Sequence, residues 1–460
     1  MGLGGCTLFL GASIGTAAPI SIHQEESERY REFQPFHPES EPAEAGLESV
    51  RSLRSNHQFR VFGYLPYWSS GYSELRWDVL TDLAWFAIEM NGDGSFGNTH
   101  GWGDAATEDL ISTAHSFGVR VHLTTTNFQT SEISTLVQSP TFRATAITNL
   151  VQAANALGAD GINIDFEGLA LGDRDAFVAF IQELKGSAGA LEITLATPAI
   201  DWQGAWDYDV LAESSDGLFI MGYGYHWSGG DPGPIAPRDG GSPWGGYSLS
   251  WTVADYLQWG GVQNSHKFIL GLPLYGRDWP SVDAAIPGTA TASGVAIVYV
   301  DAVAEAALLG SEWEPVSSTP YYMYQSTDGI HQVWYDDDAS ILEKCTLVLE
   351  SDLGGVGFWA LNYDATDPVL WDGLSDLFRS TVPALDDDDA PPPPTMSSCT
   401  CGFSDIETKR TFTPAIVAVF LFFVTRSYRY RGRKFASKRT ASMARSKVPS
   451  SSNEYAARMS

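Results

Sequence analysis

The sequence has 460 residues, 44% hydrophobic and 12% aromatic with 15 tryptophans, enough for one large domain or two modest ones with a sizeable core. Its net charge of −29 is unevenly spread: from Lys409 onward there are 12 Lys/Arg and one acid (Glu454), which leaves 15 basic and 55 acidic residues before that point. A body that acidic excludes nucleic acid and anionic polymers as partners and suits a neutral ligand.

Residues 1 to 20 are apolar and rich in small residues, and Thr16 and Ala18 are spaced as at a signal-peptidase site, so an exported protein is expected. The run "LGGC" (Leu3 to Cys6) has the form of a lipoprotein cleavage box. Residues 21 to 57 are polar and Glu-rich, show no sustained periodicity and read as a linker. Of four cysteines, Cys345 alone lies in the body; it reads as a small buried hydrophobe, and no disulfide scaffold is expected.

From residue 58 to about 380 one pattern repeats. A short apolar run leads into a turn rich in Gly, Asp or aromatics, and then into an amphipathic stretch. The predicted strands are "RVFGYLP" (60–66), "DLAWFAIEM" (82–90), "VRVHLTT" (119–125), "GINIDFE" (161–167), "LEITLAT" (191–197), "GLFIMGY" (217–223), "KFILGLPLY" (267–275) and "GGVGFWAL" (354–361). Predicted helices fall between them at 109–118, 142–158, 173–186 and 252–261, each closed by glycine. Eight strands alternating with helices predict an α/β fold, a (β/α)8 TIM barrel. The alternative, a doubly wound open sheet, lacks a glycine-rich dinucleotide loop after its first strand. Between the seventh and eighth strands, residues about 280–334 hold a helical run (300–310) and a hairpin (321–335) turning at Asp328-Gly329, which predicts a small α+β insertion.

After the body, residues 381–411 form an acidic and Pro-rich linker that contains "LDDDDAPPPP". Residues 412–460 carry the apolar run Phe412 to Val424 and then "RSYRYRGRK". The run is shorter than the roughly 20 residues of a membrane helix. An apolar stretch followed by a basic cluster nonetheless has the polarity of a membrane stop, so anchoring to a membrane or cell surface is expected.

Barrel enzymes carry their reactive side chains at the C-terminal ends of the strands. The predicted strands here end in Tyr64, Trp68, Glu89, Asn91, Thr124 to Asn127, Asp165, Glu167, Asp201, Trp202, Tyr223, Tyr275, Arg277 and Trp359. Aromatic faces stack on sugar rings, while carboxylates and amides bind hydroxyls and move protons. On the fourth strand Asn163, Asp165 and Glu167 alternate with Ile162, Ile164 and Phe166, so the three polar side chains share the inward face. Coupling between the two inward acids should raise one of them towards neutrality as a general acid, and Glu167, at the open end, is the one a substrate reaches.

The segment Asp160-Gly161-Ile162-Asn163-Ile164-Asp165-Phe166-Glu167 resembles the fourth-strand motif D-G-x-D-x-D-x-E of glycoside hydrolase family 18, the chitinase-like enzymes. "MGYGYHW" (221–227), "GLPLYGRDW" (271–279) and "GGVGFWALNYD" (354–364) are similar to that family's sixth-, seventh- and eighth-strand segments. The resemblance implies a retaining, substrate-assisted hydrolysis of β-1,4-linked N-acetylglucosamine glycans, either chitin oligomers or peptidoglycan. The catalytic residues would be Glu167, Asp165 and Tyr223. Asn163, Asp160, Trp359, Tyr64, Trp202, Tyr275 and Arg277 would bind substrate. No metal or cofactor is implied, and a monomer is expected. Two positions depart from the family's pattern: Asn163 stands at the middle Asp, as in relatives resembling spore-cortex and cell-wall hydrolases, and Gly224 replaces the Asp after the sixth-strand Tyr. Asn163 cannot share a proton with Asp165 but can still hydrogen-bond it, and should leave it with less like-charge repulsion. The alternative reading is a non-catalytic chitinase-like lectin, a group that usually loses the acid retained here as Glu167.

Overall fold

The computed structural model describes residues 20–33 and 59–379. The signal-like segment up to residue 19, the linkers at 34–57 and 381–411, and the C-terminal apolar and basic tail lie outside the described residues. Among the described residues no helix is long and apolar enough to cross a membrane.

Strands β1 (Arg60–Pro66), β2 (Asp82–Glu89), β3 (Arg120–Asn127), β4 (Gly161–Phe166), β5 (Glu192–Pro198), β6 (Gly217–Met221) and β7 (Phe268–Pro273) are followed by a rim module of β8 (Tyr275–Ser281), β9 (Val295–Val298), β10 (Glu312–Glu314), β11 (Thr319–Ser326) and β12 (Gly329–Trp334), and then by β13 (Gly355–Trp359). Seven of these and β13 close an all-parallel barrel in the order β1-β13-β7-β6-β5-β4-β3-β2, as the alternation of strands and helices predicts. The strands are buried on both faces, since the helices cover the outside and side chains fill the inside. In β4, Ile162, Ile164 and Phe166 face outward under the helix Arg174–Ser187, where Phe166 stacks on Phe180 at a centroid distance of 5.9 Å. Inside, the Phe219 ring sits against Phe62 and Tyr64. Gly271 and Gly357 make room for it, since a Cβ on either would lie 2.4 or 2.3 Å from that ring.

The rim module differs from expectation at its start. The chain leaves the barrel at Leu274, not near residue 280, because the backbone from Arg277 to Ser281 pairs antiparallel with β12 and that of Tyr275 to Asp278 with β9. The module is a five-stranded antiparallel sheet, β10-β11-β12-β8-β9, with the helix Tyr299–Leu309 beside it. Its first strand carries Tyr275 and Arg277 to the mouth of the barrel. The hairpin turns at Asp328-Gly329 as predicted, with Ser326 opposite Gly329. The helix expected to stop at Gly186 runs one residue further, to Ser187.

A second difference lies at the N-terminus. Residues expected to be linker form helix α1 (Ile22–Arg29), capped by Ser21, whose Oγ accepts the Gln24 N–H at 3.0 Å.

The end of the barrel away from the strand C-termini is closed by ions. Arg60, Asp82, Arg120 and Glu192 open strands β1, β2, β3 and β5. Asp82 accepts from Arg60 at 2.5 and 3.0 Å, from Arg120 at 2.8 and 3.0 Å and from His122 at 3.0 Å, and Glu192 accepts from both arginines at 2.9 Å. Burial alone would raise the Asp82 carboxyl, but Arg60 and His122 outweigh it and hold the group well below the carboxylate range. Removing one partner of a buried ion pair leaves an uncompensated charge. Asp82→Asn is expected to lower the free energy of unfolding by about 3–5 kcal/mol in urea titration; a midpoint unchanged from the native chain would show that the network does not support the barrel.

Candidate active site

At the open end, Asn163 and Asp165 point inward from β4 and Glu167 stands just beyond it, its N–H donating to Asn127 O at 3.0 Å. Asn163 is fully buried and uses both ends of its amide: Oδ1 accepts the Tyr64 hydroxyl at 3.0 Å and Nδ2 donates to Thr194 Oγ1 at 2.9 Å. The amide is thus engaged by Tyr64 and Thr194, and the bond to Asp165 that it could have made is not the one it uses. The amide is held crosswise between strands β1 and β5, so it serves the barrel interior and does not tie down its neighbour.

Asp165 is fully buried, and burial pushes its carboxyl up to about 8. The Glu167 carboxyl is also pushed up to about 8, by burial first and the Asp165 charge second, against the opposing effects of His23 and the Ser21 hydroxyl. Desolvation therefore acts on both acids, whereas coupling alone would raise only one. The expectation of a single raised acid is corrected on that point.

The structure brings Tyr223, Trp359 and Tyr64 to these acids, as the sequence predicts, but through an unforeseen element. His23 of α1 lies among them, fully buried: Nδ1 is 2.8 Å from Asp165 Oδ2, Nε2 is 2.8 Å from the Tyr223 hydroxyl, and the ring stacks on Trp359 at 3.7 Å. Burial lowers His23 to about 4, so the ring is neutral near pH 7. Ser21 Oγ donates to Glu167 Oε1 at 2.7 Å. Glu26 accepts from Trp359 Nε1 and from the Tyr363 hydroxyl, both at 2.9 Å, and burial raises its carboxyl to about 7. The residues that hold α1 were missed because the segment reads as polar linker. The signal available was Ser21 three residues before Gln24, a helix N-terminus pattern.

Tyr275, Arg277 and Trp202 lie to one side of α1. With Glu167, Tyr223, Gly224 and Trp227 they line a cavity of about 370 Å³. Arg277 is buried and its Nη2 donates to Glu25 at 2.7 Å, while Trp202 is 66% exposed and marks the solvent edge. Gly224 has φ +79°, a left-handed backbone that disfavours the Asp of the family pattern, although no atom lies within 4 Å of a Cβ placed there. On the other side of α1, Tyr67, Phe86, Glu89, His100 and Asn127 line a cavity of about 290 Å³. His100 stacks on Tyr67 at 3.9 Å and lies 3.3 Å from Glu89, whose carboxyl is lowered to about 2, first by that hydrogen bond.

Asp160 does not join the site, which corrects its assignment as a substrate-binding residue. It precedes β4, about 20 Å from Glu167 at the strand's rise per residue. Its carboxylate lies 2.8 Å from His115 Nε2 and accepts the Val121 N–H at 2.7 Å. Its part is to fix the start of the strand.

Among the described residues, two sets of side chains could offer ligands to a cation: His23, Asp165 and Glu167, and Asp82, His122 and Glu192. The second set is neutralised by Arg60 and Arg120. In the first, the imidazole and Asp165 already face each other across a hydrogen bond.

A closed (β/α)8 barrel with two carboxyls and a tryptophan at its mouth defines a glycosidase-type cleft. The comparison with known proteins narrows that class: the model of the glycosyl hydrolases family 18 matches residues 60–364, and the chain belongs to that family. A Bacillus subtilis (strain 168) protein named as a sporulation-specific glycosylase is 30% identical over 255 residues, 53% of this chain and 57% of its own length. A cortical fragment-lytic enzyme of Bacillus anthracis is 27% identical over 61% of this chain and 65% of its own. The chain thus spans less than two thirds of the length of these bacterial relatives. The di-N-acetylchitobiase of Rattus norvegicus is 29% identical over 57% of this chain and 76% of its own. Among solved structures, the Bacillus cereus spore cortex-lytic enzyme SleL superposes with a TM-score of 0.57 at 25% identity, covering 70% of this chain and 74% of that one.

Tyr64→Phe removes the donor to the buried Asn163 Oδ1. It is expected to cost about 1–3 kcal/mol in urea unfolding; a native-like value would mean that the amide finds another donor.

Proposed function

We propose that the chain hydrolyses β-1,4-linked glycans containing N-acetylglucosamine, by a retaining mechanism in which the substrate's own acetamido group is the nucleophile. The observation that carries this reading is the convergence of Asp165, Glu167 and the Tyr223 hydroxyl over the face of Trp359. A sugar ring stacked on Trp359 has its 2-acetamido group within reach of Asp165 and Tyr223. Glu167 keeps its proton at neutral pH and gives it to the glycosidic oxygen. The acetamido oxygen, steadied by the Tyr223 hydroxyl, attacks C1 from within the ring substituent and forms an oxazolinium ion. Asp165 gives up its own proton to solvent once the acetamido N–H supplies the donor it otherwise lacks; as a carboxylate it accepts that N–H, keeps the group in the attacking geometry and stabilises the positive charge that develops. Glu167, now a carboxylate, takes a proton from water as the water opens the oxazolinium, and the starting configuration at C1 is restored.

The relatives' names span a chitobiase and cortex-lytic enzymes, so both chitin oligomers and peptidoglycan are proposed substrates. The apolar start of the sequence and the apolar-then-basic order at its end support an exported protein held at a membrane or cell surface. Nothing in the proposed chemistry needs a second copy of the chain.

Glu167→Gln is expected to reduce product release from chito-oligosaccharides or from purified peptidoglycan by about 10²-fold or more, read by mass spectrometry of the fragments. Release that survives the substitution would refute the role of Glu167. Asp165→Ala should reduce kcat far more than Asn163→Asp, and equal losses would remove the role given to Asp165.

Asn163→Asp should also change the pH profile. A carboxylate two residues from Asp165 adds negative charge beside both acids, which raises their pKa values. Glu167 acts protonated, so kcat/KM falls as pH rises through its pKa, and the alkaline limb should move to higher pH in the variant. An alkaline limb that stays in place or moves to lower pH contradicts this assignment.

A further inference from the structure

Helix α1 lies where the proposed substrate must lie. His23 covers the face of Trp359 at a stacking distance of 3.7 Å, a place one sugar ring would fill. Its hydrogen bonds are also those of an acetamido group. A neutral imidazole has one N–H and one lone pair; against an ionised Asp165, the proton on Nδ1 is donated to the carboxylate and Nε2 accepts from the Tyr223 hydroxyl, as an amide N–H and carbonyl would. Ser21 Oγ stands on Glu167 Oε1 at 2.7 Å, in the position of a glycosidic oxygen.

The remaining contacts fix the helix along the groove. Glu25 pairs with Arg277 at 2.7 Å, Glu26 takes hydrogen bonds from Trp359 and Tyr363, and Arg31 reaches Glu89 at 3.2 Å. The two cavities are the rest of the same groove. Ile20, Ser21 and Ile22 wall the one of about 370 Å³, and Ser27, Glu28 and Arg31 wall the one of about 290 Å³. With the helix gone, the groove would run unbroken past Trp359, with room for sugars on both sides of it.

We infer that residues 20–33 are an intrachain inhibitor that occupies the sugar subsite over Trp359, and that the protein is latent until a multi-sugar glycan displaces them. An isolated helix of eight residues is marginal in water, so the groove holds α1 folded, and losing the groove costs the segment its structure. Tethering makes its binding intramolecular, so modest contacts suffice to keep it in place. The donor–acceptor match rests on reading the site as an N-acetylglucosamine subsite, whereas the steric block does not.

The test uses the full chain, with Glu167→Gln in the binding and exchange arms to stop turnover and hexa-N-acetylchitohexaose as probe. The substitutions His23→Asp and Glu26→Lys together place a carboxylate against Asp165 and remove the acceptor facing Trp359. The opened chain is expected to bind the probe at least 10-fold more tightly than the chain with native α1, by calorimetry. Equal affinity, or no binding to the opened chain, overturns the inference. Hydrogen–deuterium exchange decides the matter without altering α1: in the Glu167→Gln chain the amides of Ile22–Arg29 should lose protection when the probe binds. Binding that leaves their protection unchanged overturns it. With Glu167 restored, an opened chain that binds tightly and releases no product upholds the block and refutes the hydrolase reading. Product with no change in affinity upholds the hydrolase and refutes the block.

Discussion

Much of the site follows from one constraint: Asp165 is a carboxyl with no access to water, set under Trp359 and Tyr223 and among aromatic rings. A carboxylate stripped of water is costly unless something donates to it or it takes up a proton. Among the described residues no arginine or lysine pairs with it; Arg277, which lines the cleft, is engaged by Glu25. Asp165 is therefore poised to meet a neutral donor such as an amide N–H or an imidazole N–H. The same desolvation keeps Glu167 protonated, which suits a general acid. The aromatic rings thus supply a stacking surface and, together with His23 and Ser21 of α1, the dryness that tunes the acids beside them.

The two ends of the barrel treat the same side chain in opposite ways. Asp82 and Asp165 are both fully buried at strand positions. Asp82 is flanked by Arg60, Arg120 and His122 and is held far below its ordinary pKa, while Asp165 lacks a fixed cation and is raised to about 8. Burial costs both of them, and the fixed counter-charge decides the sign. The ionised end is locked in every state and supports the fold. The end with raised acids is free to change charge, because among the described residues no arginine or lysine pairs with either acid.

The barrel was legible in the sequence because its information is local. Strand runs such as "GINIDFE" and glycine-closed helices such as residues 142–158 announce themselves by spacing and composition, and Asp165, Glu167, Tyr223 and Trp359 follow from standing at strand ends. What could not be read depends on long-range partners. Strand β8 looks like a continuation of β7 until its pairing with β12 is known. Asp160 belongs to the motif, but in the alternation it falls with Ile162 and Ile164 and not with Asn163 and Asp165, and its partners His115 and Val121 hold it at the other end of the strand. Helix α1 has weak patterning of its own, since its buried residues are Ile22, His23 and Glu26, two of them polar. Their burial makes sense only against Asp165, Tyr223, Trp359 and Tyr363, which are 142 to 337 residues away.

Asn163 shows how the sequence's oddest residue acquires a reason. Its amide needs one donor and one acceptor, and Tyr64 and Thr194 supply one of each across the barrel. An aspartate in that place would carry two acceptors and a third titratable proton into an interior that already holds two raised acids. The amide keeps the same bridge between strands at every pH and leaves proton traffic to Asp165 and Glu167. Asn163 is thus a fixed support for the site, and Glu167, the acid proposed for turnover, stands four residues further on, where the groove and the helix that fills it both reach.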